Sequence, residues 1–331
     1  MTLAQTVFAQ LSDGEFHSGE MLAEAVGVTR SAVWKAIEQL REAGLQIDAH
    51  TNKGYRLARP TEALDGLVIC NHLPTSVRER CAIEVVWEID STNLALLSRA
   101  APEPHRYEVL LAENQTGGRG RRGRVWQARL GSSLCLSIAT SFDPLPRDLP
   151  ALTLVVGLQV RAALLKSAAK GIRLKWPNDL VIETSEARLA KVGGILVELR
   201  AEAGGAAQVV IGIGLNLSLD DQDRAAIAPL GNAAASLADC GVDAHARNRL
   251  VADIVSDCVI GLERFRLEGF VPFKESWPSA DALRDQLITV HDVNGERRGI
   301  ARGIDAQGAL SLECADGSHE LVMAGDVSVR R

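Results

Sequence analysis

The sequence predicts an α+β protein in three parts. Residues 1–60 read as a winged helix-turn-helix, 61–282 as a mixed-sheet α/β domain of catalytic size, and 283–331 as a small SH3-like β-barrel. Three observations carry this reading. The first sixty residues hold three short helical runs followed by two strand-like runs about a turn. Residues 80–220 alternate strand-like runs rich in Val, Ile and Leu with helical ones. From about Leu283 the pattern breaks into short strands, with Gly, Asp and Asn turn signals recurring roughly every eight residues.

Each element follows from its own signals. Leu3 to Leu11 is amphipathic and ends at "SDGE". A second helix starts at Ser18, places Met21, Leu22 and Ala25 on one face and stops at Gly27. Thr29 caps a third, which aligns Val33, Ile37 and Leu40 and stops at Gly44. The tight "GVT" junction between the second and third is helix-turn-helix geometry. "LQIDAHTNKGYRLAR" supplies a wing with its turn at Asn52 to Gly54, and Pro60 with "TEALDG" a linker. In the central part "IEVVWEI", "YEVLLAE", "SSLCLSIAT", "ILVELR" and "QVVIGIGLNLS" are strands. "STNLALLSRAA" and "LPALTLVVGLQVRAALLKSA" are helices, and residues 240–270 add one or two more.

Composition narrows the function. The chain has 331 residues and a formal net charge of -6, so any nucleic-acid binding must be local. Residues 1–60 themselves hold six Lys/Arg against seven Asp/Glu. No basic-then-apolar leader opens the sequence, and apolar runs such as Ala151 to Val160 are too short to span a bilayer, so no membrane partner is expected. The six cysteines are scattered without a C-x-x-C, which points to reduced thiols in a cytoplasm. Neither H-E-x-x-H nor a P-loop is present.

One stretch is unusual. "ENQTGGRGRRGRVWQ", Glu113 to Gln127, holds four arginines, with Arg129 just beyond, and a literal G-x-G-x-x-G at Gly118, Gly120 and Gly123. A dinucleotide fingerprint needs a helix after the loop, whereas β-like sequence follows here. RNA-binding RGG segments are long and repeated, and this one is a single copy. A solvated basic loop is the plain alternative. The remaining reading is a flexible loop that closes over phosphate or carboxylate, its glycines allowing close approach and its guanidiniums forking onto oxygens. Mutual repulsion should keep it mobile until an anion binds.

Four other motifs accompany it. "EIDSTNLAL" sets Ser91, Thr92 and Asn93 at a helix start, either as an N-cap or as donors and acceptors for an amide- or urea-like group. "LKWPNDL" breaks a strand at Pro177 and turns at Asn178–Asp179, either as a structural turn or as a buried Lys175–Asp179 pair with Trp176 as wall. "KVGGILVEL" places Lys191 before two glycines, where a lysine can neutralise a carboxylate or acyl phosphate. "VVIGIGLNLS" carries Gly212 and Gly214 inside a strand, an invitation to close approach, and ends in Asn216.

In this order and spacing, "DSTN", "QTGGRGRRGRVW", "KWPNDL", "KVGGILVEL" and "IGIGLN" resemble the biotin protein ligases. With the winged domain, the resemblance is to the bifunctional members that also repress biotin synthesis genes, and it covers essentially the whole chain. It implies that biotin and ATP, with Mg²⁺, give biotinyl-5′-AMP and pyrophosphate. Biotin then passes to a lysine of the biotin carboxyl carrier protein of acetyl-CoA carboxylase. Ser91, Thr92, Asn93 and Gln115 would hold the biotin head group. Arg119, Gly120 and Arg121 would close over biotin and the acyl phosphate, with Arg121 and Lys191 catalytic. Arg124, Trp126, Asn178, Asp179 and Asn216 would serve the nucleotide side, Trp126 against adenine and Asp179 toward the metal. Arg30, Ser31 and Lys35 of the recognition helix and Lys53 and Arg56 of the wing would meet operator DNA, bound by an adenylate-loaded homodimer. Three rivals stay in play: a ligase whose winged domain is only a scaffold, a regulator that has lost ligation, and a lipoate or octanoate ligase.

Overall fold

The computed structural model describes residues 2–186, 188–201, 206–227, 233–243, 246–292, 295–323 and 325–329, so the last two residues of the expected C-terminal part lie outside the described ones. Three helices open the chain: α1 (Leu3–Leu11), α2 (Gly19–Val26) and α3 (Arg30–Glu42). Thr2 and Gln5 form a reciprocal capping box on α1, and Ser18 and Thr29 accept from the backbone N–H groups of Met21 and Ala32. Gly27 ends α2 in the left-handed region at φ 71°. The phase of α2 differs from expectation. Leu22 and Ala23 join Val33 and Ile37 of α3 in one core cluster, whereas Met21 is half exposed and Ala25 lies outward. The wing pairs β1 (Ile47–His50) with β2 (Gly54–Leu57) antiparallel. At Gly54 a Cβ would lie 1.9 Å from the His17 carbonyl oxygen, so only glycine fits.

The middle of the chain runs α4 (Gly66–His72), α5 (Thr75–Arg78), β3 (Cys81–Ile89), α6 (Thr92–Ser98), β4 (Tyr107–Gln115), β5 (Ser133–Phe142), α7 (Leu152–Lys166), β6 (Arg173–Lys175), β7 (Asp179–Glu183), β8 (Leu189–Arg200), β9 (Ala207–Asn216), α8 (Asp221–Ile227), β10 (Ala233–Ala234), α9 (Arg247–Glu268), α10 (Val271–Lys274) and α11 (Trp277–Ala280). Its sheet is mixed, in the order β3-β4-β5-β9-β8-β7-β6, with β10 beside β8. The β3–β4 and β10–β8 pairs are parallel and the rest antiparallel. Helices α7 and α9 cover one face and fill the main core with Leu152, Val155, Val160, Leu164, Val251, Val255, Leu262 and Phe265. Each such side chain contributes about 1.5–3 kcal/mol on burial. The segment Leu149–Lys166 is, against expectation, long and apolar enough by composition to cross a membrane, but 56% of it is buried inside this fold, under α9. Its apolar character is that of a core helix.

The C-terminal part is a five-stranded antiparallel sheet, β14-β13-β12-β11-β15, built from β11 (Leu287–Asp292), β12 (Gly295–Ile304), β13 (Leu310–Glu313), β14 (His319–Val322) and β15 (Asp326–Val329). Among the described residues its path stays open, without the β14–β15 pairing that would close a barrel. Ile288, Val290, Leu310, Leu312 and Val322 join the main core, and the buried Trp176 indole donates to the Gly308 carbonyl at 3.0 Å.

The N-terminal part has its own core, but not of its residues alone. Leu130, just after the arginine–glycine stretch, is buried in it among Leu40, Leu45 and Leu57. Trp87 of β3 meets Phe8 edge-on at 5.7 Å. The linker is likewise fastened. Arg247 at the start of α9 pairs with Glu113 of β4 at 2.8 Å, both fully buried, and the two bond the Glu62 carbonyl and the Leu64 amide.

Candidate active site

A cavity of about 820 Å³ opens above β5, β9 and β8. That volume is ample for a ligand of cofactor size. At one end α6 begins. Ser91 caps it, accepting from the Leu94 amide at 3.4 Å. Thr92 donates its backbone N–H to Gln115 Oε1 at 3.0 Å, and its hydroxyl lies 2.7 Å from that of Ser137 and 3.1 Å from Gln115 Oε1. Ser137 donates to Asn93 Oδ1 at 2.6 Å, and Asn93 Nδ2 donates to Glu198 Oε2 at 2.9 Å and to the Leu196 carbonyl at 3.3 Å. Ser91, Thr92, Asn93 and Ser137 are each under 5% exposed. Buried polar groups so connected form a rigid, directional surface. Glycine makes room for it: a Cβ at Gly212 would lie 2.5 Å from Asn93 Oδ1, and one at Gly214 2.6 Å from the Trp126 ring.

The arginine–glycine stretch joins the antiparallel strands β4 and β5, with no helix after it, which removes the dinucleotide-fold reading. It folds on itself: the Gly120 amide donates to the Arg124 carbonyl at 2.7 Å and the Trp126 amide to the Gly118 carbonyl at 2.9 Å. Arg122 at φ 56° and Gly123 at φ 72° turn it back through the left-handed region. Arg119 reaches Glu198 at 3.0 Å, Arg121 donates to Asn178 Oδ1 at 3.3 Å, and Arg122 donates to the His291 carbonyl at 3.5 Å. The repulsion expected among these guanidiniums is thus met by protein acceptors. Arg124 lies exposed at the rim.

On the other side Lys191 pairs with Asp179 at 2.6 Å, its Nζ 5.7 Å from the Trp126 ring centroid. The aromatic wall is therefore Trp126, while Trp176 turns into the core and Asp179 pairs with Lys191 across β7–β8. Lys191 lies inside β8 rather than before it. The β7–β8 register shifts between Leu180 and Val181, so that Leu180 faces Gly193 and Val181 faces Lys191. Such a bulge re-aims a side chain. Asn178 donates to the Ile195 carbonyl at 3.0 Å, and Asn216 fastens the Lys191 and Ala235 carbonyls at 3.3 and 2.9 Å.

All thirteen residues expected to hold biotin or nucleotide line this one cavity. Sequence reasoning did not name Ser137, Glu198 or the contribution of His291 and Val327 from the C-terminal sheet. A serine inside the apolar run "LCLSIAT" was a signal for the first; Glu198 stands inside the quoted "KVGGILVEL" as a charge in an apolar run but was given no role. Cys135 also lines the cavity, its thiol pushed up to about 12 by burial. Among the described residues no group of three or more His, Cys, Asp or Glu gathers as for a metal. Asp179 stands as a single carboxylate, its Oδ1 taken up by the Lys191 ammonium at 2.6 Å. One carboxylate beside bound phosphates fits a Mg²⁺ that arrives on its nucleotide.

A second surface lies on α3. Arg30, Ser31, Trp34 and Lys35 are exposed together near its N-terminal half, and Trp34 stands outside the core at 53% exposure. Lys53 is exposed at the wing turn, whereas Arg56 is half-buried against Asp48 at 3.0 Å and above the Phe16 ring.

Comparison with known proteins agrees along the whole chain. Residues 86–216 match the biotin/lipoate A/B protein ligase family, 4–56 an HTH domain, and 286–330 the biotin protein ligase C-terminal domain. The chain is 37% identical over 329 residues to the bifunctional ligase/repressor BirA of Salmonella typhimurium, covering 99% of this chain and 98% of that protein. It is 32% identical over 322 residues to that of Bacillus spizizenii, covering 96% and 95%. Among solved structures it is similar to the biotin protein ligase from Aquifex aeolicus in complex with biotin and ATP, with a TM-score of 0.61 and 25% identity, covering 75% of this chain and 98% of that one.

Proposed function

The chain belongs to the biotin protein ligases, in their bifunctional ligase/repressor branch, and from that premise we propose how its residues divide the work. The protein activates biotin with ATP, then transfers biotin to a lysine of a biotin carboxyl carrier protein. In the first step a biotin carboxylate oxygen bonds to the α-phosphorus as the bond to pyrophosphate breaks. Carboxylate is already nucleophilic at neutral pH, so no base is needed, but two anions must meet. Lys191 is our catalytic cation, moving from Asp179 toward the carboxylate and α-phosphate, a short shift for a side chain on a flexible stem. Arg121 and Arg119 close the loop over the acyl phosphate, and Gly120 lets its backbone approach. Thr92, Asn93, Gln115 and Ser91 hold the head group. Trp126 stacks on adenine, Arg124 and Asn178 serve the phosphates, and Asn216 holds the strand that carries Lys191. Asp179 would hold Mg²⁺, which offsets phosphate charge when bound. In the second step the carrier lysine amine attacks the acyl carbonyl, AMP leaves, and the amine's proton passes to solvent.

The observation that carries this reading is the gathering of the polar α6 cluster, the arginine loop and the Lys191–Asp179 pair about one cavity. The α6 cluster also favours biotin over lipoate or octanoate, whose aliphatic chains offer it nothing to bond. Pyrophosphate exchange into ATP tests it: exchange is expected with biotin and not with lipoate. Exchange with lipoate alone would overturn the assignment.

We further propose that the adenylate-loaded protein dimerises in the cytoplasm and binds operator DNA through Arg30, Ser31, Lys35, Lys53 and Arg56, and that the C-terminal sheet is an SH3-like barrel. Weak local charge on residues 1–60 supports a dimer, since doubling the contacts raises affinity through effective concentration.

A further inference from the structure

We infer that Trp34 is a specificity-determining residue of the recognition helix α3, and that it reads the C5 methyl group of a thymine in the major groove. The inference rests on the operator-binding reading above and deepens it.

Trp34 stands apart from the other four tryptophans. Trp176 and Trp277 are buried in the main core, Trp126 lines the cavity and Trp87 meets Phe8 edge-on. Trp34 is 53% exposed and, among the described residues, has no hydrogen bond and no ring partner. The inner face of α3 is Val33, Ala36, Ile37 and Leu40, each at most 2% exposed, so the core is complete without it. Exposure alone says little, since single apolar side chains are common on surfaces. The neighbours decide.

Ser31 lies one turn before Trp34 and Glu38 one turn after, with Arg30 and Lys35 flanking the stripe. Glu38 is held by Arg41 at 2.7 Å, and in the wing Asp48 holds Arg56 at 3.0 Å. Arg30 and Lys35 have no ion-pair partner among the described residues. The carboxylate beside the indole is thus neutralised, and the cations beside it are left open to an outside anion. A second copy of this chain does not fit there. A two-fold contact sets the same patch against itself, so Arg30 and Lys35 would meet their own kind. A polyanion fits, its phosphates on the two cations and the indole between them.

Phosphate contacts position a helix but carry no sequence information. The Ser31 hydroxyl lies 2.9 Å from that of Thr29, the cap of α3, and is engaged there. The indole is left to meet the base edges. Apart from one N–H its surface is apolar. The major groove presents one methyl group, on C5 of thymine, among amino, carbonyl and ring-nitrogen edges. Against an apolar ring those polar edges lose water without gaining a partner, whereas the methyl gains cover. Reading by Trp34 is therefore apolar and insensitive to salt.

The test uses the full chain with biotin and ATP present. Wild type enriches duplexes from a random-sequence library. Each thymine of the enriched duplex is then replaced singly by deoxyuridine, which removes only the methyl. At one thymine, or its symmetry mate, wild type should lose about fourfold in affinity, as for one buried CH₂ group. Trp34→Ala should bind the enriched duplex about tenfold more weakly or worse, the scale of a lost base contact, and no longer sense that methyl. Trp34→Phe should still sense it. Affinity for random DNA and the salt slope should move less than about twofold in either variant. The inference is overturned if no thymine methyl matters, if Trp34→Ala still responds to the same one, or if it weakens random DNA equally. It is also overturned if Trp34→Ala fails to self-associate in sedimentation, which would assign the indole to a protein contact. Should Trp34→Ala fail to fold by circular dichroism, Trp34→Gln decides in its place. A wild type that enriches no sequence would sink operator binding itself, whereas an enriched sequence without a methyl response sinks only this inference.

Discussion

Cys135 shows how burial decides what a residue can do. It faces the cavity, yet burial holds its thiol at about 12. At pH 8 roughly one such thiol in ten thousand is ionised, and thiolate is the reactive form. Iodoacetamide at pH 8 should therefore label the partly exposed Cys314 well before Cys135 and leave adenylation intact; early labelling of Cys135 with loss of activity would contradict the burial argument. Gly212 makes the complementary case. Ala there would place a methyl 2.5 Å from Asn93 Oδ1, so Gly212→Ala should raise the KM for biotin tenfold or more without lowering thermal stability by more than a few degrees. Arg121 reaches over to Asn178, and in the function proposed above it closes the loop over a hydrolysable anhydride. Arg121→Gly should still form adenylate but release it, so radiolabelled adenylate should appear in an ultrafiltrate; full retention would remove Arg121 from that role.

At the scale of elements, the buried Arg247–Glu113 pair ties the linker to both β4 and α9. Removing one partner of such a pair leaves a buried charge unmatched, a loss of about 3–5 kcal/mol. The i,i+4 pair Arg249–Asp253 on the same helix is partly in solvent and contributes at most about 1 kcal/mol. Urea unfolding of Glu113→Ala and Asp253→Ala should show that ordering, and equal effects would mean that the linker anchor is not load on the fold. The elements also show why some of the site could be read in the sequence and some could not. Caps, the wing turn and the long strands announce themselves through local chemistry, and so does the arginine loop through its density of charge. Ser137 and Glu198 are each visible as a polar residue inside an apolar run, but what they touch is not, because it depends on β5 and β8 lying either side of β9, a pairing of strands distant in sequence. The bulge that aims Lys191 is likewise a property of two strands in register. Trp176 and Trp126 look alike in sequence; only the fold sends one inward and sets the other beside Lys191.

At the scale of the whole molecule, the net charge is -6, and the DNA contacts proposed above rest on α3 and the wing alone. Each phosphate contact contributes about 0.9 to the slope of log affinity against log salt. Lys53→Ala should weaken operator and random DNA alike and flatten that slope by about one unit, whereas Trp34→Ala should act mainly on operator sequence. Gel-shift titrations over a salt series with biotin and ATP present would measure both. A Lys53→Ala protein with an unchanged slope would take the wing off the DNA.

Leu130 and Trp87, which complete the N-terminal core from the ligase side, bear on how the molecule can be engineered. The natural first step toward a ligase that does not regulate genes is to trim away residues 1–60. Here the cut would strip the cover from a leucine that follows the arginine–glycine loop, and from a tryptophan on β3, leaving a sticky scar where a folded seam had been. A recoded recognition helix, with Arg30, Ser31 and Lys35 replaced on the intact scaffold, would silence the DNA-binding half and keep the enzyme's own foundations in place.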